Sequence, residues 1–321
     1  MKIVFGLADL HIKLWELIPD IEVMINAIKW RWSRPPARKV WVDSGGYQIM
    51  VKGLKISIDT IIQRYRELDA DIYMSLDIPP RTLCPDDKEL VKKNIENYEI
   101  LRTKLDDKTI VPVVHCYEPN LMLEAIDIYR SLGAKMIAFG GAVPPTMGRM
   151  GRGSRLLPLI ALAIVVKASK LPVHVLGLGG ANTMYTVVKI LGASSMDSSA
   201  WRIKAAYGKI IVPGLGERYV GNGKARFGKT PLKQEELEML IKALQETNFP
   251  YMDKIHELLN TFPGRAIINA WILHKYRDYV ANTNRLKWLI ERSNVLKMLS
   301  IEELIKNFNS VSAHAVQLNV G

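Results

Sequence analysis

Six times in this chain a short apolar run ends in a residue that can do chemistry or cradle a ligand. The runs are VWVDSGG (Asp43), IYMSLD (Asp77), IVPVVH (His115), MIAFGG (Gly140, Gly141), VHVLGLGG (Gly177) and SSMD (Asp197), and amphipathic helical stretches lie between most of them. Strand, reactive residue and helix, repeated, is how a barrel of parallel strands builds a site at its C-terminal rim. The rhythm predicts an α/β chain with a TIM (β/α)8 barrel, its ionisable groups and glycine turns gathered on one face. A doubly wound open sheet is the competing topology, and reactive residues on so many successive strands favour closure.

The remaining elements follow from punctuation and periodicity. The first strand spans residues 2–6, and a helical segment and a basic, proline-containing linker lead from it to Ala37. SIDTIIQRYREL (57–68) has helical spacing of its apolar residues. Pro79, Pro80 and Pro85 impose an extended exit after Asp77, and Asp86 is placed to cap the next helix. Gly133 and Gly192 are placed to end two later helices. KIIVPG (209–214) supplies an eighth strand. Beyond about residue 230 only helical patterns remain, so the expected organisation is a barrel with its catalytic rim over 1–215 and a mainly helical extension over 216–321.

At 321 residues, the length accommodates one barrel of about 250 residues plus an appendix. No apolar stretch approaches the roughly 20 residues that span a bilayer, and MKIVFGLADL reads as a strand, not a signal peptide. The expectation is a cytoplasmic protein without membrane contact. Two cysteines, Cys84 and Cys116, are too few for a disulfide framework or a four-cysteine zinc site, so no structural zinc and no other metal is expected.

The formal net charge of +12 suits a polyanionic partner. Cations interleave with indoles in Lys29, Trp30, Arg31, Trp32, Arg34, Arg38 and Lys39; Arg149, Arg152 and Arg155 sit in a glycine-studded loop; Lys224, Arg226 and Lys229 form a third cluster. Three basic clusters in loop-like segments point to phosphate contacts rather than to a generic solvated surface.

Carboxylates at strand ends suffice for substitution at a sugar carbon. One attacks the anomeric carbon to give a covalent glycosyl-enzyme, and another moves protons on the leaving and entering groups. A third can accept hydrogen bonds from the N–H edge of a purine. Glycines at 140–141 and 177–179 let a flat ligand lie against backbone without meeting a Cβ. No cofactor is needed for such chemistry.

VDSGGYQ (42–48), MSLD (74–77), FGG (139–141), LGLG (176–179) and the Asp197 segment resemble, in order and approximate spacing, the tRNA-guanine transglycosylases. The resemblance covers about residues 40–214. It implies a TIM barrel that exchanges guanine in a nucleic acid for a 7-deazaguanine through a covalent enzyme–ribose intermediate. It implies that Asp197 is the nucleophile and Asp43 the proton-transferring aspartate, that Ser44 and Tyr47 lie against the base, and that Asp77 reads its guanine-like edge. Gly140, Gly141 and Gly177 take the positions of its backbone contacts.

The departures are as informative. The family's cysteine-rich zinc site is absent after Asp197, and MDSSAWRIKAAYG lacks the expected proline-threonine-arginine pattern. His115, in VVHCYE, stands where the tRNA enzymes place a base-reading glutamine. With VHVLGLG and MDSSAW, it brings the chain nearer to the DNA-guanine transglycosylases. The resemblance thus implies guanine replacement in DNA, with 7-cyano-7-deazaguanine as the incoming base. Exchange on tRNA is the alternative acceptor, and accessory proteins or a homodimer are possible partners. Arg202 and Lys204, just past the nucleophile, join Arg31, Arg149, Arg152 and Arg155 as expected nucleic-acid contacts.

Blander roles stand beside these. Asp43 could be a turn residue, Asp197 a helix cap, Asp77 structural and His115 a satisfied core imidazole. His174 reads as core, one of Trp30 and Trp32 faces the core, and Trp201 packs behind Asp197. Two other classes fit less well: a nucleoside or glycoside hydrolase, which would not need three basic clusters, and a catalytically silent nucleic-acid-binding paralogue, which has no chemical reason to keep both Asp43 and Asp197.

Overall fold

The computed structural model describes residues 1–46, 56–140, 156–178, 182–221, 230–277 and 284–317. Tyr47, Gly141, Arg149, Arg152, Arg155, Lys224, Arg226 and Lys229 lie outside the described residues.

Among the described residues, nine short strands form one sheet: β1 (Lys2–Gly6), β2 (Glu22–Asn26), β3 (Lys39–Asp43), β4 (Ile72–Met74), β5 (Ile110–Val111), β6 (Val113–His115), β7 (Ile137–Gly140), β8 (Val173–Val175) and β9 (Ser195–Ser198). Their order is β5-β4-β3-β2-β1-β9-β8-β7-β6, and every pairing is parallel. The two ends of that order are halves of a single run, TIVPVVH. Val111 accepts from Ser75 on the β4 side, whereas the Pro112 carbonyl accepts from Ala138 of β7 (both 2.8 Å). Proline has no N–H to donate, so the run changes partners at Pro112. The result is a nearly closed parallel barrel.

Alternation along the strands sorts the core into two compartments. Val4, Met24, Trp41, Ile72, Met74, Val111, Val113 and Ala138 pack together as one cluster. Their immediate neighbours Ile3, Phe5, Val23, Ile25, Val40 and Val42 belong to a second, larger cluster that also includes helix residues. Side chains at i and i+2 share a sheet face, so the first cluster is the barrel interior and the second the layer between strands and helices.

The helices are α1 (Leu14–Leu17), α2 (Ile58–Glu67), α3 (Lys88–Lys104), α4 (Pro119–Ser131), α5 (Leu157–Ser169), α6 (Asn182–Ile190), α7 (Ala200–Ala206), α8 (Gln234–Glu246), α9 (Ile255–Asn260), α10 (Phe262–Lys275), α11 (Asn284–Met298) and α12 (Ile301–Gln317). Ser57 caps α2 by accepting from the Thr60 N–H (3.1 Å). Asp87, not Asp86, caps α3 by accepting from Leu90 (3.0 Å). Gly133 and Gly192 follow α4 and α6 with φ of +84° and +97°. The α5 sequence LPLIALAIVVKAS is apolar on nearly all sides because it is covered on nearly all sides: β7 and β8 lie beneath it, and α4, α11 and α12 pack around it. No described helix is long and apolar enough to cross a membrane.

Two expectations about strands are corrected as well. The segment between the first strand and Ala37 contains an additional barrel strand, β2. Glu22 interrupts its apolar pattern, but that carboxylate is buried and held by Lys2 Nζ (2.8 Å) and the Trp41 indole N–H (3.0 Å). Conversely, the KIIVPG segment is not the eighth barrel strand. Its β10 (Lys209–Val212) pairs antiparallel with β11 (Gly216–Tyr219) in a separate hairpin. The expected boundary at 215/216 therefore falls inside a hairpin. The C-terminal helices are also joined closely to the barrel: Asn269 of α10 donates to the Trp201 and Lys209 carbonyls (3.0 and 3.1 Å) and accepts from Ile211 (2.7 Å).

Candidate active site at the barrel rim

Asp43 ends β3, His115 ends β6, Gly140 ends β7 and Asp197 lies in β9, while Asp77 and Gly177 follow β4 and β8. All therefore occupy the C-terminal rim of one parallel barrel. This is the arrangement that strand-end residues adopt in parallel barrels.

Asp43 is the electrostatic centre. Its carboxyl is pushed up to about 7, chiefly by burial and next by the charge of Asp77, with a smaller push from Asp197. Hydrogen bonds from Asn26 Nδ2 (2.8 Å) and the Gly45 N–H oppose the rise. Like charges crowded in a desolvated site raise a carboxyl in this way. Gly45 turns the chain at φ +97°. Gly46 then passes so close to Asp77 that an added Cβ would lie 2.6 Å from its Oδ1. The DSGG motif thus serves both a turn and the seating of a second carboxylate.

Asp77 is buried and accepts from Ser44 Oγ at 2.7 Å. His115 Nε2 stands 3.0 Å from its other oxygen, yet neither ring nitrogen of His115 has a partner with hydrogen-bond geometry. The imidazole lies over Gly140, where a Cβ would meet Nδ1 at 2.6 Å. Gly140 therefore makes room for the His115 ring. Around this pair Asn94 bonds both Ile78 and the Tyr117 hydroxyl, and Glu118 N–H donates to the Pro85 carbonyl (3.0 Å).

A disulfide joins Cys84 to Cys116, with Cα atoms 4.5 Å apart. Too few for a framework, the two cysteines nevertheless pair with each other. The bond clips the loop following Asp77 to the residue after His115. Disulfides are rare in a reducing cytosol, hyperthermophiles excepted, so this one bears on the expected cytoplasmic location. Among the described residues, no group of three or more His, Cys, Asp and Glu side chains is arranged to hold a metal ion.

On the opposite side, Asp197 Oδ1 accepts from the Gly177 N–H at 2.7 Å, made possible by a positive φ of 79° at Gly177. The amide expected to touch a base is thus engaged with the candidate nucleophile. His174 is fully buried, as expected of a core residue, but its Nε2 lies 3.5 Å from Asp197 Oδ1. Trp201 is buried beneath this segment and donates to the Gly6 carbonyl (3.1 Å).

The expected nucleic-acid contacts are dispersed. Ala27 bonds the Asp43 carbonyl at the rim, but Arg34 pairs with Asp71 (2.7 Å) at the N-terminal end of β4, so the basic linker descends the barrel's flank. Arg31 is exposed along that descent, Trp30 is buried and Trp32 exposed. Arg202 is engaged by Asp9 through both terminal nitrogens. Burial raises Asp9, but that guanidinium and the His11 N–H outweigh it and hold the carboxyl below its usual range. Lys204 is lowered by burial and lies 3.4 Å from Glu217, which Lys209 also binds. Both cations face internal carboxylates, a long-range pairing invisible in sequence. Asn26 and His174 were missed as rim residues; each is a polar residue in or at the end of an apolar strand run, the same signal that marked Asp43.

Fold and rim together define an α/β protein built on a parallel barrel, with three carboxylates and two buried histidines at its mouth. No protein-family model matches the chain. It is 32% identical to "Uncharacterized protein 306" of Sulfolobus islandicus rod-shaped virus 1, over 320 residues that cover 96% of this chain and 92% of that protein. The chain belongs to the family of that viral protein.

Proposed function

We propose that the protein is a base-exchange transglycosylase that replaces guanine in DNA with a 7-deazaguanine, the 7-cyano form being the preferred incoming base. If residues 110–115 are taken as one strand, the barrel is of the eight-stranded (β/α)8 kind. The observation that carries the proposal is the grouping of Asp43, Asp77 and Asp197 at one mouth, with Asp43 raised to about 7 by its burial and by its acidic neighbours. A carboxyl poised near neutrality is suited to both giving and taking a proton.

In this mechanism the target guanosine leaves the stack, because its anomeric carbon is otherwise inaccessible. Asp197 attacks C1′, the C1′–N9 bond breaks, and guanine leaves with its electron pair while protonated Asp43 supplies a proton. Ionised Asp43 then takes the N9 proton of the incoming base, whose nitrogen displaces Asp197. Asp77, Ser44 and His115 form the polar wall for the purine edge. Two buried ring nitrogens on His115 without aligned partners support this role, because buried polar atoms are rarely left unsatisfied.

The test is to incubate the protein with labelled guanine or 7-cyano-7-deazaguanine and either DNA or tRNA, then count label in the polymer. Label in DNA is the expected outcome. Label only in tRNA would change the acceptor. Release of free base without exchange would favour a hydrolase, and no label or release would favour a silent binding protein.

A further inference from the structure

We infer that His174 is a positioning residue for Asp197, holding one carboxylate oxygen so that the other forms and breaks the bond to the sugar. The inference rests on the assignment of Asp197 as nucleophile.

His174 has no exposed surface, and one of its ring nitrogens has a side-chain partner. Nδ1 lies 2.8 Å from Ser195 Oγ, on the strand directly paired with His174. A serine hydroxyl donating there leaves the hydrogen on Nε2. That atom stands 3.5 Å from Asp197 Oδ1 and has no hydrogen-bond partner. The ring cannot easily turn elsewhere: Trp41 packs against it with centroids 4.7 Å apart, and the Trp41 indole is itself fixed by Glu22. A purely structural imidazole would have both nitrogens satisfied. Here the second is reserved for the carboxylate. Its length is that of a contact that tightens when substrate binds, as catalytic hydrogen bonds do.

Gly177 N–H already holds the same Oδ1 at 2.7 Å. Once the His174 Nε2–H closes on this oxygen as well, Oδ1 is held by two donors and Oδ2 is the oxygen that bonds C1′. In the first step the Oδ2–C1′ bond forms as C1′–N9 breaks. In the second, deprotonated N9 of the incoming base bonds C1′, the C1′–Oδ2 bond breaks, and its electron pair returns to the carboxylate. Negative charge then reappears on Asp197, where the His174 and Gly177 N–H groups stabilise it. Loss of His174 therefore slows departure more than attack, and the covalent adduct accumulates.

The experiment compares wild type with His174→Phe and His174→Gln, using a single-stranded DNA oligonucleotide with one guanine and a tRNA arm in parallel. Adduct is followed on denaturing gels as it forms and as added guanine discharges it; affinity for free guanine is measured separately. His174→Phe is expected to discharge about 10- to 100-fold more slowly, with unchanged guanine affinity and a larger adduct fraction. His174→Gln, whose amide N–H reaches the Nε2 position, should recover most of the rate. Equal discharge in His174→Phe and wild type would overturn the inference, as would a parallel loss of guanine affinity or no recovery in His174→Gln. If His174→Phe does not fold, Ser195→Ala serves instead: slower discharge at unchanged affinity supports the role, and an unchanged rate contradicts it. No adduct in wild type would remove the Asp197 assignment itself, whereas adduct with normal discharge in His174→Phe removes only this inference.

Discussion

Two carboxylate–histidine pairs face one another across the rim, and they are built differently. Asp77 and His115 lie 3.0 Å apart with Ser44 bonded to the carboxylate, and a disulfide ties the segments that follow them. Asp197 and His174 lie 3.5 Å apart, and the carboxylate is held by one backbone N–H. The first pair is held from several directions, as the proposed base-reading role requires. The second has one oxygen anchored and no comparable clamp, as suits the bond-forming role proposed for Asp197. Asp43 stands between them and senses both charges.

The largest expected effect separates the two sides outright. Asp197→Asn should reduce exchange by about 10⁴-fold or more, the scale seen when a covalent nucleophile is lost, while guanine affinity stays the same. Asp77→Asn should do the reverse, weakening guanine binding by about 100-fold through a lost charged acceptor, with adduct still forming at saturating base. Guanine affinity and adduct yield, measured on both variants, would break the comparison if either variant lost both properties together.

Cys84→Ser should lower stability by about 4 kcal/mol, the value for opening a loop of this size, as read by denaturant unfolding. Its kinetic effect should fall on the KM for the base and not on adduct formation. An effect on adduct formation alone would show that the clip serves the wrong side of the rim.

A pH-dependent effect concerns Asp43 and leaves the two sides of the rim alike. Its carboxyl is near 3.8 when unfolded and about 7 when folded, so the unfolded chain ionises first as pH rises. The folded state's disadvantage therefore grows from about pH 4 to about pH 7 and is constant above. Asp43→Asn removes it. The variant's Tm should gain on wild type across that window and then run parallel, whereas a gain that shrinks with rising pH would contradict the raised carboxyl.

The rim was legible because each of its main residues ends a local apolar run, and α5 was legible because its uniform apolarity has one structural cause. What escaped depends on contacts between distant segments. Glu22 hid β2 because a buried charge looks like a surface residue until Lys2 and Trp41 are seen beside it. KIIVPG has the composition of a barrel strand, and only its antiparallel partner shows that it is not one. The Cys84–Cys116 bond joins residues 32 apart, and Arg202 meets Asp9 from the far end of the barrel sequence. His174 fits the pattern of a core histidine in every local respect, and only the neighbouring strand reveals the carboxylate at its free nitrogen.

The division of labour rests on Asp197 being the atom donor to the sugar. The most direct measurement is mass mapping of the protein after denaturation from a reaction with a guanine-containing oligonucleotide. The account predicts a sugar-linked adduct on the peptide carrying Asp197 and none on the peptide carrying Asp43. An adduct on Asp43, or label exchange with no adduct on Asp197, would contradict it.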